Sequence, residues 1–119
     1  MINSKEDLIN HFSKGIKKQE SLKIGIEHEK FLFNKKLNLR VTYETISKVL
    51  NYLKKFGWSE IKEKNNIIGL SKEGKSISLE PGNQIELSGA LLKSIHQTCE
   101  ESYQFLDELS KACLNLNLK

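Results

Sequence analysis

Two glutamates separated by one residue are the first candidates for chemistry in this chain. Glu27 and Glu29 lie in the segment Leu22–Phe33, where apolar and polar residues alternate as in a β-strand. In a strand both carboxylates point to one face, roughly 7 Å apart, where they repel each other unless a cation lies between them. Mg²⁺ suits such oxygen ligands and often bridges them to substrate phosphates. The spacing alone favours the solvent-facing side of a half-exposed strand, balanced by Lys23 and Lys30, and leaves a metal pair as the alternative.

A second acidic segment runs from Ser76 to Gly89 and reads SISLEPGNQIELSG. Polar and apolar residues alternate on both sides of Pro81-Gly82-Asn83, which has the composition of a turn, so the segment predicts a β-hairpin. A two-residue loop would put apolar Ile85 on the polar face, whereas a three-residue loop opposes Glu80 with Gln84. We therefore predict the three-residue loop. Its polar face carries Glu80, Gln84, Glu86 and Ser88, and its apolar face carries Ile77, Leu79, Ile85 and Leu87.

The rest of the periodicity predicts an α+β fold, an antiparallel β-sheet with helices packed on it, that forms a single domain over residues 1–119. Three helices are expected: one after Ser4, one from Thr42 to Gly57, and one from Ala90 to about Leu114. The residues after Leu114 are expected to fray. Further strands are expected at Trp58–Glu63, Ile67–Leu70 and Ser76–Leu79, which join the hairpin in a meander.

Composition excludes several classes of function. The 119 residues carry a net charge of +4, but Arg40 is the sole arginine and the lysines are scattered, which argues against nucleic-acid binding. No run approaches the ~20 apolar residues of a membrane span, and no apolar secretory leader is present, so a cytoplasmic chain is expected. Cys99 and Cys113 lie fourteen residues apart on one predicted helix, about 21 Å along its axis, so they cannot bridge each other.

Two longer motifs, in order, are KIGIEHEKFLF and NNIIGLSKEGKSISLEPGNQIELSGALLKSIHQTC. With the lesser segments Tyr43–Ile46 and Phe56-Gly57-Trp58, they make the chain from about Leu8 to Glu100 resemble the start of glutamate–cysteine ligases of the plant and proteobacterial type. Two departures from the family pattern are mild: Asn83 stands where a second glycine is usual, and Ile85 replaces phenylalanine.

The resemblance implies an ATP-dependent ligase on a glutamine-synthetase-like sheet. Such an enzyme joins the γ-carboxylate of L-glutamate to the amine of L-cysteine through a γ-glutamyl phosphate, the first step of glutathione synthesis. By position in the motifs, Glu27, Glu29 and Glu86 are expected to bind Mg²⁺, with Glu80 as a further ligand. Gln84 and Ser88 are expected to shape the substrate or nucleotide pocket.

Family members are several times longer than 119 residues, so the chain resembles an N-terminal portion that supplies the Mg²⁺ side of the site. We expect the chain alone to be inactive or very weakly active. We also expect either a separate C-terminal portion or self-association through an unpaired sheet edge. Two other functions remain open: a carboxylate–amine ligase that uses another amine, and a metal- or ligand-binding module without turnover.

Overall fold

The computed structural model describes residues 2–119, and the elements below lie within that range. The helices are α1 (Lys5–Ser13), α2 (Tyr43–Leu53) and α3 (Ile95–Asn115). The strands are β1 (Glu27–Lys30), β2 (Ser59–Glu63), β3 (Asn66–Lys72), β4 (Lys75–Glu80) and β5 (Gln84–Ser88). No helix in the described range is long and apolar enough to cross a bilayer.

The five strands form one antiparallel sheet in the order β1-β5-β4-β3-β2. Strands β2 to β5 follow one another as a meander, and β1 returns to pair with β5. This confirms the predicted α+β class and the antiparallel sheet. Apolar residues from one face of the sheet share a core with α2 and α3. Its fully buried members include Ile46, Leu50, Leu53, Leu70, Ile77, Ile85, Leu87 and Phe105.

The register of the β4–β5 hairpin is the predicted one. Glu80 opposes Gln84 and Ser78 opposes Glu86, which leaves three residues in the loop. Gly82 and Asn83 both have positive φ, +79° and +63°. Asparagine tolerates this conformation better than most residues, which explains how it replaces the second glycine of the family pattern.

The predicted strand Leu22–Phe33 is wrong in length, because only Glu27–Lys30 pairs as a strand. Its partner β5 ends at Ser88, so the earlier residues have no continuous neighbour, and Ile24 makes only an isolated bridge to Leu92. Alternation along a sequence reports which residues can share a face, but not where a partner strand stops.

The long C-terminal helix ends at Asn115, as predicted, but its start and the residues that follow it differ from the prediction. The helix begins at Ile95 rather than Ala90, because Ser94 and Gln97 form a capping box there. The residues after the helix do not fray. The backbone of Lys119 pairs with that of Phe33, with N–O distances of 2.8 and 2.9 Å, and Leu118 is buried.

Helix α1 forms where predicted, and the Ser4 side chain accepts a hydrogen bond from the Asp7 amide. None of its residues is buried, and Phe12 is 70% exposed. The radius of gyration is 18.1 Å, against about 13–14 Å for a compact domain of this length. Helix α1 is therefore stabilised by its own caps rather than by packing on the sheet.

The end of β5 is held by a buried carboxylate on α3. Glu101 is 7% exposed, and both of its oxygens accept the amide of Ala90 at 3.2 Å. Lys75 Nζ lies 3.9 Å from Glu101 Oε1. The preceding Gly89 donates its amide to Ile26 O at 2.7 Å, so this short segment ties α3 to the start of β1.

A second buried carboxylate holds the middle of α3. The indole Nε1–H of Trp58 donates to Glu108 Oε2 at 2.6 Å, and Gln104 Nε2 donates to Glu108 Oε1 at 3.1 Å. Lys72 Nζ is 3.6 Å from Glu108 Oε1. A buried carboxylate needs such donors because removing it from water is costly.

We predict that Glu108→Ala lowers the free energy of unfolding by about 2–4 kcal/mol, because Trp58 and Lys72 lose their buried acceptor. The matched control is Glu100→Ala, on the exposed side of the same helix, with an expected change within about 0.5 kcal/mol. Urea unfolding followed by the fluorescence of Trp58, the single tryptophan, measures both variants. Equal losses in the two variants would contradict the assignment.

We also predict that Gly89→Ala destabilises the fold by about 1–3 kcal/mol. A β-carbon there would collide with Glu101 Oε2 and lie 2.9 Å from Ile26 Cγ1. Gly25→Ala is the control, since its β-carbon would meet nothing closer than Leu91 Cδ2 at 3.4 Å. Hydrogen exchange at the amide of residue 89, relative to its intrinsic rate, should accelerate in the Gly89→Ala variant and not in Gly25→Ala. Acceleration in Gly25→Ala alone would refute this account.

Candidate functional site

The sheet brings all six predicted site residues onto one face. Glu27 opposes Ser88 and Glu29 opposes Glu86 across the β1–β5 pair, and Glu80 opposes Gln84 across β4–β5. Directly opposed residues of antiparallel strands point to the same side. We call this set the acidic face, and its members are Glu27, Glu29, Glu80, Gln84, Glu86 and Ser88.

The acidic face lies opposite the helix-covered face of the sheet. Its neighbours along each strand, such as Ile85 and Leu87, are fully buried in the core with α2 and α3. Glu27 and Glu29 are exposed, whereas Glu86 and Ser88 are half-buried. The helices therefore leave the acidic face accessible to a ligand.

Glu86 is the most constrained carboxylate of the acidic face. It lies between Glu29 on β1 and Ser78 on β4. The hydroxyl of Ser88 donates to Glu86 Oε1 at 2.9 Å, which orients the carboxylate. Opposed residues in such a pair have Cβ atoms roughly 4.5–5.5 Å apart, so Glu29 and Glu86 are close enough for one cation to lie between their oxygens.

The donors of the acidic face fit a hard cation. Carboxylate, hydroxyl and amide oxygens are the ligands that Mg²⁺ prefers. Within residues 2–119, no group of three or more His, Cys, Asp and Glu side chains is gathered closely enough to hold a metal ion. Mg²⁺ commonly uses one or two carboxylates together with waters and substrate phosphates, so the one opposed pair of carboxylates, Glu29 and Glu86, suits it without a closed cage.

A line of serines, which were not predicted as site residues, crosses the sheet beside the carboxylates. Ser59, Ser71 and Ser76 are successive partners across β2, β3 and β4, and Ser76 opposes Ser88, which opposes Glu27. Single serines in separate strands give no signal until the registers are known. The hydroxyls extend the polar surface of the acidic face towards β2.

Arg40 and Phe31 lie at the turn end of the acidic face and were also not predicted as site residues. The guanidinium carbon of Arg40 lies 4.9 Å from the centre of the Phe31 ring. Arg40 Nη1 lies 3.1 Å from the position that a β-carbon on Gly82 would occupy. The sequence signal was available: Phe31 continues the alternation of Glu27 and Glu29, and Arg40 is the sole arginine.

Both cysteines are free thiols within the described structure, as expected from their spacing. Cys99 is exposed on α3, whereas Cys113 is buried in the core, where burial raises the pKa of its thiol. Neither cysteine belongs to the acidic face.

Comparison with known proteins identifies the family. Residues 23–119 match the family model described as Glutamate-cysteine ligase family 2 (GCS2). The chain is 48% identical over 99 residues to glutamate–cysteine ligase A, chloroplastic, of Oryza sativa subsp. japonica, which covers 82% of this chain and 20% of the relative. A chloroplastic glutamate–cysteine ligase of Medicago truncatula gives the same values. The Arabidopsis thaliana enzyme of that name is 44% identical over 99 residues, or 82% of this chain and 19% of the relative.

These relatives are named chloroplastic, which contradicts the prediction of a cytoplasmic chain. That prediction rested on the lack of an apolar leader. An apolar leader distinguishes secreted chains, whereas plastid transit segments are polar and amphipathic, so its absence does not separate the cytoplasm from a plastid.

The chain spans about a fifth of the length of these curated relatives. The family match extends from Lys23 to Lys119 and contains every residue of the acidic face. It also contains both motifs on which the resemblance was first based. The chain belongs to glutamate–cysteine ligase family 2.

Proposed function

We propose that this chain supplies the metal-binding side of the active site of an ATP-dependent glutamate–cysteine ligase. The single observation that supports this best is the β1–β5 register, which sets Glu29 opposite Glu86 and Glu27 opposite Ser88 in a member of this family. The five-stranded sheet is then part of a glutamine-synthetase-like sheet, whose uncovered face carries the reaction.

The proposed reaction has two steps. A γ-carboxylate oxygen of L-glutamate attacks the γ-phosphorus of ATP, and ADP leaves as γ-glutamyl phosphate forms. The amine of L-cysteine then attacks the γ-carbonyl carbon, inorganic phosphate leaves, and the nitrogen loses a proton to give the amide. Both reactants of the first step are anions, so catalysis depends on positioning and on charge neutralisation.

The carboxylates of Glu27, Glu29 and Glu86 hold Mg²⁺ in this proposal, and Glu80 is a further ligand. Mg²⁺ held there would supply positive charge that neutralises the phosphate oxygens. The Ser88 hydroxyl donates a hydrogen bond to Glu86 Oε1, which orients the carboxylate and leaves Oε2 for the metal. Gln84 presents an amide, both a donor and an acceptor, to the substrate or nucleotide.

We predict that Glu27→Gln or Glu29→Gln weakens the binding of Mn²⁺, a paramagnetic substitute for Mg²⁺, by about ten-fold or more. Each substitution keeps the shape of the side chain and removes a charged ligand. Titration followed by electron paramagnetic resonance measures the affinity. Glu63→Gln, on the opposite edge strand β2, is the matched control and should change the affinity less than two-fold.

A second measurement addresses the chemistry. Phosphate release from ATP is measured with and without L-glutamate and L-cysteine. Release that depends on both amino acids is expected to be absent or very weak in the 119-residue chain, because one arginine and one acidic face do not hold three substrates. Turnover that is lost in Glu27→Gln would show instead that the chain contains a complete site. Unchanged Mn²⁺ affinity in both glutamine variants would refute the proposed metal ligands.

A further inference from the structure

Arg40 and Phe31 both point away from the core of the protein. Phe31 precedes the buried Leu32 and Arg40 precedes the buried Val41, whereas Phe31 and Arg40 are themselves exposed. Side chains of successive residues in extended backbone point to opposite sides, so Phe31 and Arg40 project to the side of the sheet that the helices leave open. That side carries the acidic face.

Phe31 places the arginine along this face. Lys30 opposes Ile85, so the next residue, Phe31, lies beside Gln84 and two residues beyond Glu29. Arg40 stacks on the Phe31 ring, with its guanidinium against the turn glycine. The acidic face therefore has carboxylates along β1 and β5 and a single guanidinium at the end formed by the hairpin turn.

The backbone beside Arg40 is held on two sides, by Leu32 and by the hairpin turn at Asn83. Val41 donates its amide to Leu32 O at 3.1 Å, and the Asn83 side chain donates to Val41 O at 3.2 Å. Phe33 and Arg40 form an isolated antiparallel bridge. These bonds hold the backbone of residue 40 between the segment that follows β1 and the hairpin turn, and the Phe31 ring then sets where the guanidinium lies.

The guanidinium itself has unused donors. Among the ion pairs and side-chain hydrogen bonds within residues 2–119, none involves the Arg40 side chain, although Glu80 lies just before the turn. A guanidinium presents five N–H donors in a planar fork whose geometry matches the paired oxygens of a carboxylate or phosphate. Stacking on an aromatic ring leaves the edge of that fork free.

We infer that Arg40 is an oxyanion-binding residue at the turn end of the acidic face, where its guanidinium binds a carboxylate or phosphate group of the substrates. This inference rests on the proposed function, in which the carboxylates of the acidic face hold a cation. The carboxylates would then bind the metal cation, and Arg40 beside them would bind an anionic group of the substrates. Gly82 is part of the site, because a side chain at this position would displace the guanidinium.

The test uses the fact that the chain has one arginine, so Arg40 gives the single Nε–H side-chain signal of arginine in a ¹⁵N-labelled sample. Inorganic phosphate and L-glutamate are titrated separately at low ionic strength, with MgCl₂ in fixed excess. We expect this signal to shift saturably with at least one of them. A response to phosphate alone identifies a phosphoryl site, and a response to L-glutamate alone identifies a carboxylate site.

Arg40→Gln is expected to weaken the binding of the anion that shifts the signal by about ten-fold or more. Arg40→Lys is expected to weaken this binding less, because lysine keeps the charge and loses the planar fork of donors. For the variants, the amides of residues 82–84 report binding. Lys48→Gln, an exposed lysine on α2, is the control and should change the affinity less than two-fold. Far-ultraviolet circular dichroism confirms that each variant is folded, and the wild-type titration alone still tests the inference if one is not.

The outcomes separate this inference from the proposed function. No saturable shift at Arg40 with either anion, or equal affinities in wild type and Arg40→Gln, overturns the inference even if Mn²⁺ binding still depends on Glu27. Arg40-dependent anion binding together with Mn²⁺ binding that depends on neither Glu27 nor Glu29 supports the inference and refutes the proposed metal ligands.

Discussion

The arrangement of the sheet depends on two buried carboxylates of helix α3. Glu101 accepts the backbone amide that follows β5, and Glu108 accepts the indole N–H of Trp58 at the entrance to β2. Burying a carboxylate is costly unless charge-assisted hydrogen bonds and a nearby cation compensate it, so each glutamate fixes its donors in one geometry. The lysines that approach them come from the β3–β4 hairpin, Lys72 and Lys75. Together these contacts hold α3 against three separate parts of the sheet.

This attachment matters for the acidic face because it decides which side of the sheet is open. With α2 and α3 packed on one face, the alternate residues of β1, β4 and β5 are left facing away from the core. Several carboxylates on one open surface repel one another, and the cation that we propose there would relieve this repulsion. Gly89 and Ala90 link the buried contacts of α3 to the acidic face. The Gly89 amide donates to Ile26 O, beside Glu27, and the next amide, that of Ala90, donates to Glu101.

The face is also electrostatically divided. The carboxylates of Glu27, Glu29 and Glu86 occupy its centre, and the Arg40 guanidinium lies at the hairpin turn, held by Phe31 and by the space that Gly82 leaves. In the proposed first step two anions, the γ-carboxylate of L-glutamate and ATP, must come together, which requires positive charge close to the metal-binding carboxylates. The family match contains all of these residues within about a fifth of the length of its relatives. We therefore regard this segment as a structural unit that positions charge, and expect the remaining substrate contacts to come from elsewhere in such enzymes.

The sequence by itself determined the α+β class, the three-residue hairpin loop and the sharing of one face by Glu80, Gln84, Glu86 and Ser88. These follow from local alternation and turn chemistry, which act over a few neighbouring residues. Tertiary structure decided the rest: β1 is limited to four residues by the end of β5, α3 starts at its Ser94 cap, and Lys119 is paired with Phe33. It also decided that Arg40 lies beside the acidic face and that Glu101 and Glu108 are buried. Such features depend on contacts between residues distant in the chain, and periodicity carries no information about which distant partner a residue meets.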